Sequence, residues 1–551
     1  MAYTSLNRRP ITVFRPVVGS ITLSVIVSFY LVLATNGTFW KKAGGYLSGS
    51  PAADMALYPA LFLVFVAIIT TFSVKYVIKP LSIALIFAAA AGSWFMDRFG
   101  VIIDRDMIRN AFETTTAEAG DLMTAGFVWH MILFAVLPSL LVIWVRVAHR
   151  TFLSKVLWNW ITIISCLTIV GLIFFANAKT LMIVHRQHKD MLATVNPIAP
   201  ISATIQYFRQ AQTEAEVVVA PLGTDAKIRP PVAGLTKPRV TIVVAGETAR
   251  AVNFSLNGYA RDTNPELEKR NVFYFPSTES CGTATATSIP CMFSNLGRSG
   301  YSHEKAASQE TVVDVLAHAG VKVSWWDNNT GDKGVAKRIE TVNFFGGKDQ
   351  RFCEEGECHD DIMIEKLGAW LDGVTKDSVI VLHQLGSHGP AYHQRYPKEF
   401  GKFTPDCQAA QPTDCADAEL INAYDNTILY TDHVLSEVID LLKARSDKLA
   451  GGMIYASDHG ESLGENGLYL HGAPYFMAPK EQTHVPMLVW MDHDFSASMG
   501  LDRACLTKEA AAGGRSHDYW FSSILSMMNV ETSVYNPKLD LFAGCRAGAS
   551  S

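Results

Sequence analysis

Long apolar runs alternate with short charged connections over the first third of the chain. Val17–Ala34, Ala56–Val74, Leu81–Met96, Ala125–Val145 and Trp158–Ala178 carry no charge, counting His130 as neutral. A helix needs about 20 such residues to cross a bilayer, so the pattern predicts five membrane spans, of which Leu81–Met96 is the shortest. Lysines and arginines mark the inner side of a membrane. They cluster at Arg8, Arg9 and Arg15, at Lys75 and Lys79, and at Arg146, Arg150 and Lys155, whereas the loop Asp97–Thr124 sets three arginines against six carboxylates. The N-terminus is therefore expected inside, and an odd number of spans sends everything after Ala178 outside. No small-residue cleavage site closes the first run and more runs follow it, so it reads as an anchor rather than a removable leader.

Beyond Ala178 the pattern changes twice. Amphipathic stretches (MIVHRQHKDML, ATIQYFRQAQTEAEVV) are interrupted by NPIAP and RPPVAG, which fits either helices lying on a membrane surface or a semi-ordered linker. From Arg239 onward, short β-branched runs (VTIVVA, VKVSWW, SVIVLHQ, GMIYAS) alternate with helical stretches. Continuous apolar strands of this kind belong to a parallel sheet covered by helices on both faces. The expected organisation is thus a membrane domain at 1–178, a bridging segment at 179–237 and an external α/β domain at 238–551.

Composition agrees with this division. The 551 residues are 49% hydrophobic and only 18% charged, with a mean hydropathy of +0.15, as when a membrane portion is averaged with a soluble one. A net charge of −5 gives no electrostatic reason to expect nucleic acid. Eight of the nine cysteines follow Phe275, as Cys281, Cys291, Cys353, Cys358, Cys407, Cys415, Cys505 and Cys545. An even set beyond the last span suggests disulfides in an oxidising compartment, and joining sequence neighbours is the simplest pairing. No CxxC repeat supports a zinc–thiolate cluster instead.

Ligands of open α/β sheets bind beyond the carboxyl ends of the strands. There, TIVVA runs into Gly246-Glu247-Thr248 and VSWW into Asp327-Asn328-Asn329. SVIVLHQ leads to Gly386-Ser387-His388-Gly389, and MIYAS to Asp458-His459-Gly460-Glu461. Singly, each has a bland reading: Glu247 beside a helix cap, a structural Asp-His pair, His388 satisfying a turn. Jointly, carboxylates and imidazoles at several strand ends point to a metal site.

The motifs GETAR (246–250), NFSLNGY (253–259), SCGTATA (280–286), SHGPAY (387–392), YDNT (424–427) and SDHGESLGENGLYLHG (457–472) resemble the lipid A phosphoethanolamine transferases. That family includes the mobile colistin-resistance enzymes, and the similarity runs over the whole chain. It implies an alkaline-phosphatase/sulfatase-like α/β domain with Thr285 as a zinc-bound nucleophile. Glu247, Asp458, His459 and Thr285 would hold one tightly bound zinc ion, with a second ion as an alternative. His388 and His471 would lie near that second metal or the phosphate, one of them supplying a proton, while Asn329 and Lys333 hold the phosphoryl group. IIDRDMIRNAFETTTAE resembles the family's donor-lipid segment, making Asn110 and Glu118 candidate head-group contacts against the alternative of a solvated acidic loop. Many relatives carry GCKGxC around the lysine. Asp332 and Ala336 stand at those cysteine positions here, leaving the Lys333 loop without that disulfide.

The activity implied is transfer of phosphoethanolamine from phosphatidylethanolamine to a lipid A phosphate through a covalent threonine intermediate. The enzyme would sit in a bacterial inner membrane with its catalytic domain in the periplasm. An added amine on lipid A would weaken Coulomb attraction to polymyxins, including colistin. The alternative is a phosphoethanolamine or phosphoglycerol transferase acting on another cell-envelope glycan. A sulfatase needs C/S-x-P-x-R, which CGTATATSIPC lacks, and a binding module with a structural zinc would not need Thr285 beside a full ligand set.

Overall fold

The computed structural model describes residues 14–546 apart from 115, 216, 233, 234 and 355, and leaves out the side chains of 116–118, 214, 215 and 277. Arg8 and Arg9 precede the described residues, and the Glu118 side chain lies outside them. The chain divides into two compact units. One takes its described residues from Met1–Arg98 and Ala125–Ser202, the other from Phe99–Thr124 and Ala203–Ser551.

The first unit is helical: α1 (Ser20–Ala34), α2 (Gly37–Tyr46), α3 (Pro51–Thr71) and α4 (Ile78–Phe99) come before the loop helix α5 (Arg105–Glu113), and α6 (Ala125–Trp144) and α7 (Phe152–Ala176) after it. By length and composition α3, α4, α6 and α7 can each cross a membrane, and α1 with α2 forms a pair bent by 66° that makes a fifth. The weak point is not where the apolar runs place it. Leu81–Met96 grows to 22 residues as α4, whereas α1 has 15, about 22 Å of helix. Thr35-Asn36-Gly37 ends it: the Thr35 hydroxyl and Asn36 amide donate to the Leu31 carbonyl at 2.7 and 2.9 Å and satisfy the helix end locally. A π-turn at Ile132–Val136 interrupts α6 just before Pro138, whose missing N–H breaks the regular ladder. Along α7 only Cys166 is buried, and so apolar a surface suits lipid.

In the second unit, seven strands form one sheet: β1 (Arg239–Gly246), β2 (Phe273–Glu279), β3 (Lys322–Asp327), β4 (Glu340–Asn343), β5 (Ser378–His383), β6 (Ala450–Ser457) and β7 (His484–Met491), in the order β2-β7-β6-β1-β5-β3-β4. Strands β6, β1, β5, β3 and β4 run parallel; β7 is antiparallel to β6 and to β2. The four runs read from the sequence are the four central strands. Alternate residues feed two cores, as a doubly covered sheet requires. Val243 and Ala245 pack with Trp325, Phe521 and Ile524 on one face. Ile242 and Val244 pack on the other with Leu420, Tyr424, Ile428 and Leu435 of the 27-residue helix Asp417–Lys443.

Candidate active site

Strand register assembles the centre. Gly246 of β1 pairs with Ser457 of β6, so the next residues, Glu247 and Asp458, leave the sheet side by side. Glu247, Asp458 and His459 are buried, and one ligand atom from each falls within 4.8 Å of the others. His459 Nδ1 donates to the Gly460 carbonyl at 2.8 Å, which turns the Nε2 lone pair toward the carboxylates. Opposite them stands Thr285, first residue of the helix Thr285–Met292. Its hydroxyl donates to Glu247 Oε2 at 3.1 Å and lies 3.3 Å from His459 Nε2. Disulfides join Cys281–Cys291 around this loop, and Cys353–Cys358, Cys407–Cys415 and Cys505–Cys545 elsewhere.

The donor set fits a divalent cation. Burial pushes the Asp458 carboxyl well up and the neighbouring Glu247 adds to that, while Asp458 Oδ2 accepts no hydrogen bond. Burial also pushes Glu247 up, but His459, His388 and the Thr248 hydroxyl outweigh it and hold the carboxyl at about 2. Burial keeps His459 neutral, at about 4. Two buried carboxylates, one with an orphaned oxygen, beside an imidazole lone pair and a hydroxyl make a metal-ligand set. Behind them, register sets His383 of β5 beside Asp327 of β3, with Nδ1 and Oδ2 2.9 Å apart. Burial alone would push the His383 imidazole down, but the Asp327 carboxylate beside it outweighs burial and holds it up.

The other candidates lie around this cluster. Asn329 Nδ2 donates to Glu247 Oε2 at 2.8 Å and to the Gln384 carbonyl at 2.7 Å. The His471 ring is centred 4.5 Å from that of His459 and 5.5 Å from that of His388. Helix α5 packs against the Thr285 helix, with Asn110 next to Gly472, where an added Cβ would lie 3.6 Å from its amide nitrogen. Lys333 bonds the Thr330 carbonyl at 3.0 Å and pairs with Glu113 at 3.2 Å. Its backbone is left-handed, at φ +47°, as are Thr248 at +58° and Leu470 at +64°. Strained residues of this kind persist where the surroundings over-determine them, commonly at functional sites. Gly386 has φ +54°, and a Cβ there would come within 2.7 Å of the Glu247 carbonyl oxygen, so only glycine fits.

The missing family disulfide has a polar replacement. Asp332 Oδ2 accepts from the Ala336 N–H at 2.7 Å and Oδ1 from the Gly334 N–H at 3.2 Å, closing the turn that carries Lys333. Hydrogen bonds to an ionised acceptor are among the stronger ones. Asp332→Ala is therefore expected to raise amide exchange over 333–336 roughly tenfold, about 1.4 kcal/mol of opening free energy. Asp332→Asn, which keeps one acceptor oxygen, should fall between the variant and wild type in hydrogen–deuterium exchange.

Several contributors have no role assigned from the sequence. His517 joins the nucleophile loop to β6: Nδ1 accepts from the Cys281 N–H at 3.0 Å and Nε2 donates to the Ser457 carbonyl at 3.0 Å. Tyr424 of the YDNT motif links the Thr248 carbonyl, 2.7 Å, to the Arg250 N–H, 2.9 Å, while Asp425 accepts from Asn253 at 2.7 Å and Tyr259 at 2.9 Å. Glu461, within the quoted SDHGES stretch, sets its buried carboxylate 3.4 Å from His471 Nδ1. Burial holds His517 down at about 3, against 6.5 ordinarily. Between those values the unfolded chain binds one more proton, so this contribution to stability is whole above pH 6.5 and is lost as pH falls toward 3, by at most about 1.4 kcal/mol per pH unit. Melting temperatures from pH 7 to 5 should therefore fall less steeply in His517→Gln than in wild type.

Comparison with known proteins places this site. The sulfatase family profile matches residues 239–530, and that of phosphoethanolamine transferase EptA/EptB matches residues 61–212. Phosphoethanolamine transferase EptA of Salmonella typhimurium is 38% identical over 97% of this chain and 98% of its own. Phosphatidylethanolamine transferase Mcr-1 of Escherichia coli is 37% identical over 90% of this chain and 94% of its own. The integral membrane lipooligosaccharide phosphoethanolamine transferase A of Neisseria meningitidis superposes with a TM-score of 0.93 at 34% identity, over 96% of this chain and 99% of that one. With its membrane helices, its sulfatase-like sheet and these relatives along nearly its whole length, the chain belongs to the EptA/Mcr family of phosphoethanolamine transferases.

Proposed function

We propose that the protein is a zinc-dependent enzyme of a bacterial inner membrane that moves phosphoethanolamine from phosphatidylethanolamine to a phosphate of lipid A. In this reading residues 1–178 anchor it, 179–237 bridge, and 238–551 form a periplasmic catalytic domain with which the loop 99–124 associates. The observation that carries the proposal is the Thr285 hydroxyl within hydrogen-bond reach of both Glu247 and His459, in a buried set of metal-ligating atoms. Zinc held by Glu247, Asp458, His459 and Thr285 supplies Lewis acidity, which lowers the hydroxyl pKa and offsets phosphoryl charge.

The chain's own residues account for the rest. Thr285 Oγ1 gives its proton toward Glu247 Oε2 and bonds to phosphorus, while the bond from phosphorus to the diacylglycerol oxygen breaks. That leaving oxygen needs a proton. Burial keeps His388 neutral, at about 3, which makes it a poor acid. We assign the donor role to His471, whose Nδ1 lies 3.4 Å from the Glu461 carboxylate. Asn329 and Lys333 orient the phosphoryl oxygens, and Asn110 and Glu118 meet the head group. In the second half-reaction a lipid A phosphate oxygen bonds to phosphorus, the threonine ester bond breaks and Thr285 regains its proton. The amine thus added to lipid A lowers its affinity for polymyxin and colistin.

Mass spectrometry of the full-length protein incubated with phosphatidylethanolamine tests this reading. A phosphoethanolamine adduct on Thr285 that disappears after chelation is the expected result. Turnover with the modification on another residue would overturn the assignment.

A further inference from the structure

Asp327 and His383 are the last residues of β3 and β5, and His383 pairs in register with Ala245 of β1, two residues before Glu247. Four N–H groups converge on the buried Asp327 carboxylate: His383 Nδ1 and Trp325 Nε1 donate to Oδ2, each at 2.9 Å, and the backbone N–H groups of Asn329 and Gly331 donate to Oδ1, each at 3.0 Å. The Asn328 N–H bonds the His383 carbonyl at 2.9 Å, so His383 grips the turn after β3 through its side chain and its backbone. That turn delivers Asn329, whose amide reaches Glu247 Oε2 at 2.8 Å, the same oxygen that accepts from the Thr285 hydroxyl at 3.1 Å. An unbroken chain of hydrogen bonds therefore runs from His383 through Asp327, Asn329 and Glu247 to Thr285. A buried ion pair seldom adds net stability over apolar residues of the same size, so its place at the edge of this site calls for another role. The His383 side chain is 0% exposed and that of Asp327 6%, which leaves neither open to substrate.

We propose that Asp327 and His383 form a positioning pair that fixes the turn 328–331 and so holds the Asn329 amide and the Thr285 hydroxyl on one oxygen of Glu247. The inference rests on the transferase reading of Thr285 above. A carboxylate oxygen has two lone-pair directions. With Asn329 on one of those of Oε2, the other is left for Thr285, and the carboxylate cannot swing without losing both bonds. Loosening the turn frees the Asn329 amide, then the carboxylate, then the hydroxyl, and small displacements of a reacting group cost rate steeply. The pair thus acts on the chemical step through Asn329 and Glu247, without touching the donor.

The test uses the full-length protein in mild detergent, with bound zinc measured in each variant. It records single-turnover labelling of Thr285 by phosphatidylethanolamine together with hydrogen–deuterium exchange over 328–331. His383→Leu, which has no donor, is expected to lower the maximal labelling rate roughly tenfold while the half-saturating donor concentration moves by less than about twofold. Exchange over 328–331 should rise roughly tenfold in the same variant. His383→Gln, whose amide overlays Nε2 and not Nδ1, should behave like the leucine variant, and His383→Asn, whose Nδ2 stands where Nδ1 stood, should recover most of the rate and of the protection. If the leucine variant does not fold, the glutamine and asparagine variants decide between them. Wild-type labelling in the leucine or glutamine variant overturns the inference. Slower labelling overturns it too if the turn stays protected, if zinc is lost in proportion, or if asparagine restores nothing. If wild type itself does not label Thr285, the transferase reading fails first and carries this inference with it.

Discussion

Thr285→Ala is expected to reduce transfer to background, and Thr285→Ser to retain a measurable fraction of it. Removing the hydroxyl deletes the atom that bonds to phosphorus, and neither neighbouring threonine of the loop is placed to replace it. Thr283 Oγ1 donates to the Ala473 carbonyl at 2.7 Å, and Thr287 Oγ1 lies 3.4 Å from His303. Losing a covalent nucleophile removes orders of magnitude in rate, well beyond the roughly 10²–10⁴ of a lost acid or base. Serine keeps the hydroxyl but loses the methyl group that restricts its rotamer, so it samples orientations away from Glu247 Oε2. Kinetics with a head-labelled donor, combined with peptide mass spectrometry, check both variants. A Thr285→Ala protein that still turned over through a covalent adduct would sink the assignment. His471→Asn should fall between the two, with the first half-reaction slowed more for a poor leaving group than for a good one.

The centre was legible in the sequence because it is built from residues that directly follow strands. An apolar β-branched run locates a strand, and the two or three residues after it reach the carboxyl edge whatever the rest of the chain does. The strand pattern put Glu247, Asp458 and His459 at that edge along with Asp327 and His388, and the motif resemblance chose the three as a ligand set. Contacts between distant segments were not legible. His517 stands 236 residues from its partner Cys281 in a stretch with no strand or motif around it. Glu113 meets Lys333 only because the loop 99–124 joins the larger unit, which no hydropathy pattern encodes. Asp332 read as the loss of a disulfide, since its bonds to the backbone two and four residues on depend on a turn with left-handed residues. The bend after Ala34 did have a signal, Thr35-Asn36-Gly37, but it lay outside the window of apolar residues used to find the span.

Stripping the divalent cation is expected to destabilise the catalytic unit by several kcal/mol, and Asp458→Asn to make the stripped protein no less stable than stripped wild type. Glu247 and Asp458 are wholly buried, and two like charges about 4 Å apart repel by about 4 kcal/mol even at an effective dielectric of 20. Without metal the pair escapes by keeping a proton on Asp458, whose carboxyl burial and Glu247 both push up, while Glu247 stays ionised. Refilling the site must expel that proton, so the heat of zinc binding should vary with the ionisation enthalpy of the buffer. Melting curves of wild type and Asp458→Asn, after chelation and again with zinc restored, separate the contributions. Wild type should recover its melting temperature with zinc. The asparagine variant begins without the repulsion but lacks a ligand charge, so it should respond little. Equal melting with and without zinc in wild type would mean that Thr248, Asn329 and the buried His383–Asp327 pair already compensate the carboxylates, and that the cation contributes to chemistry without holding the fold.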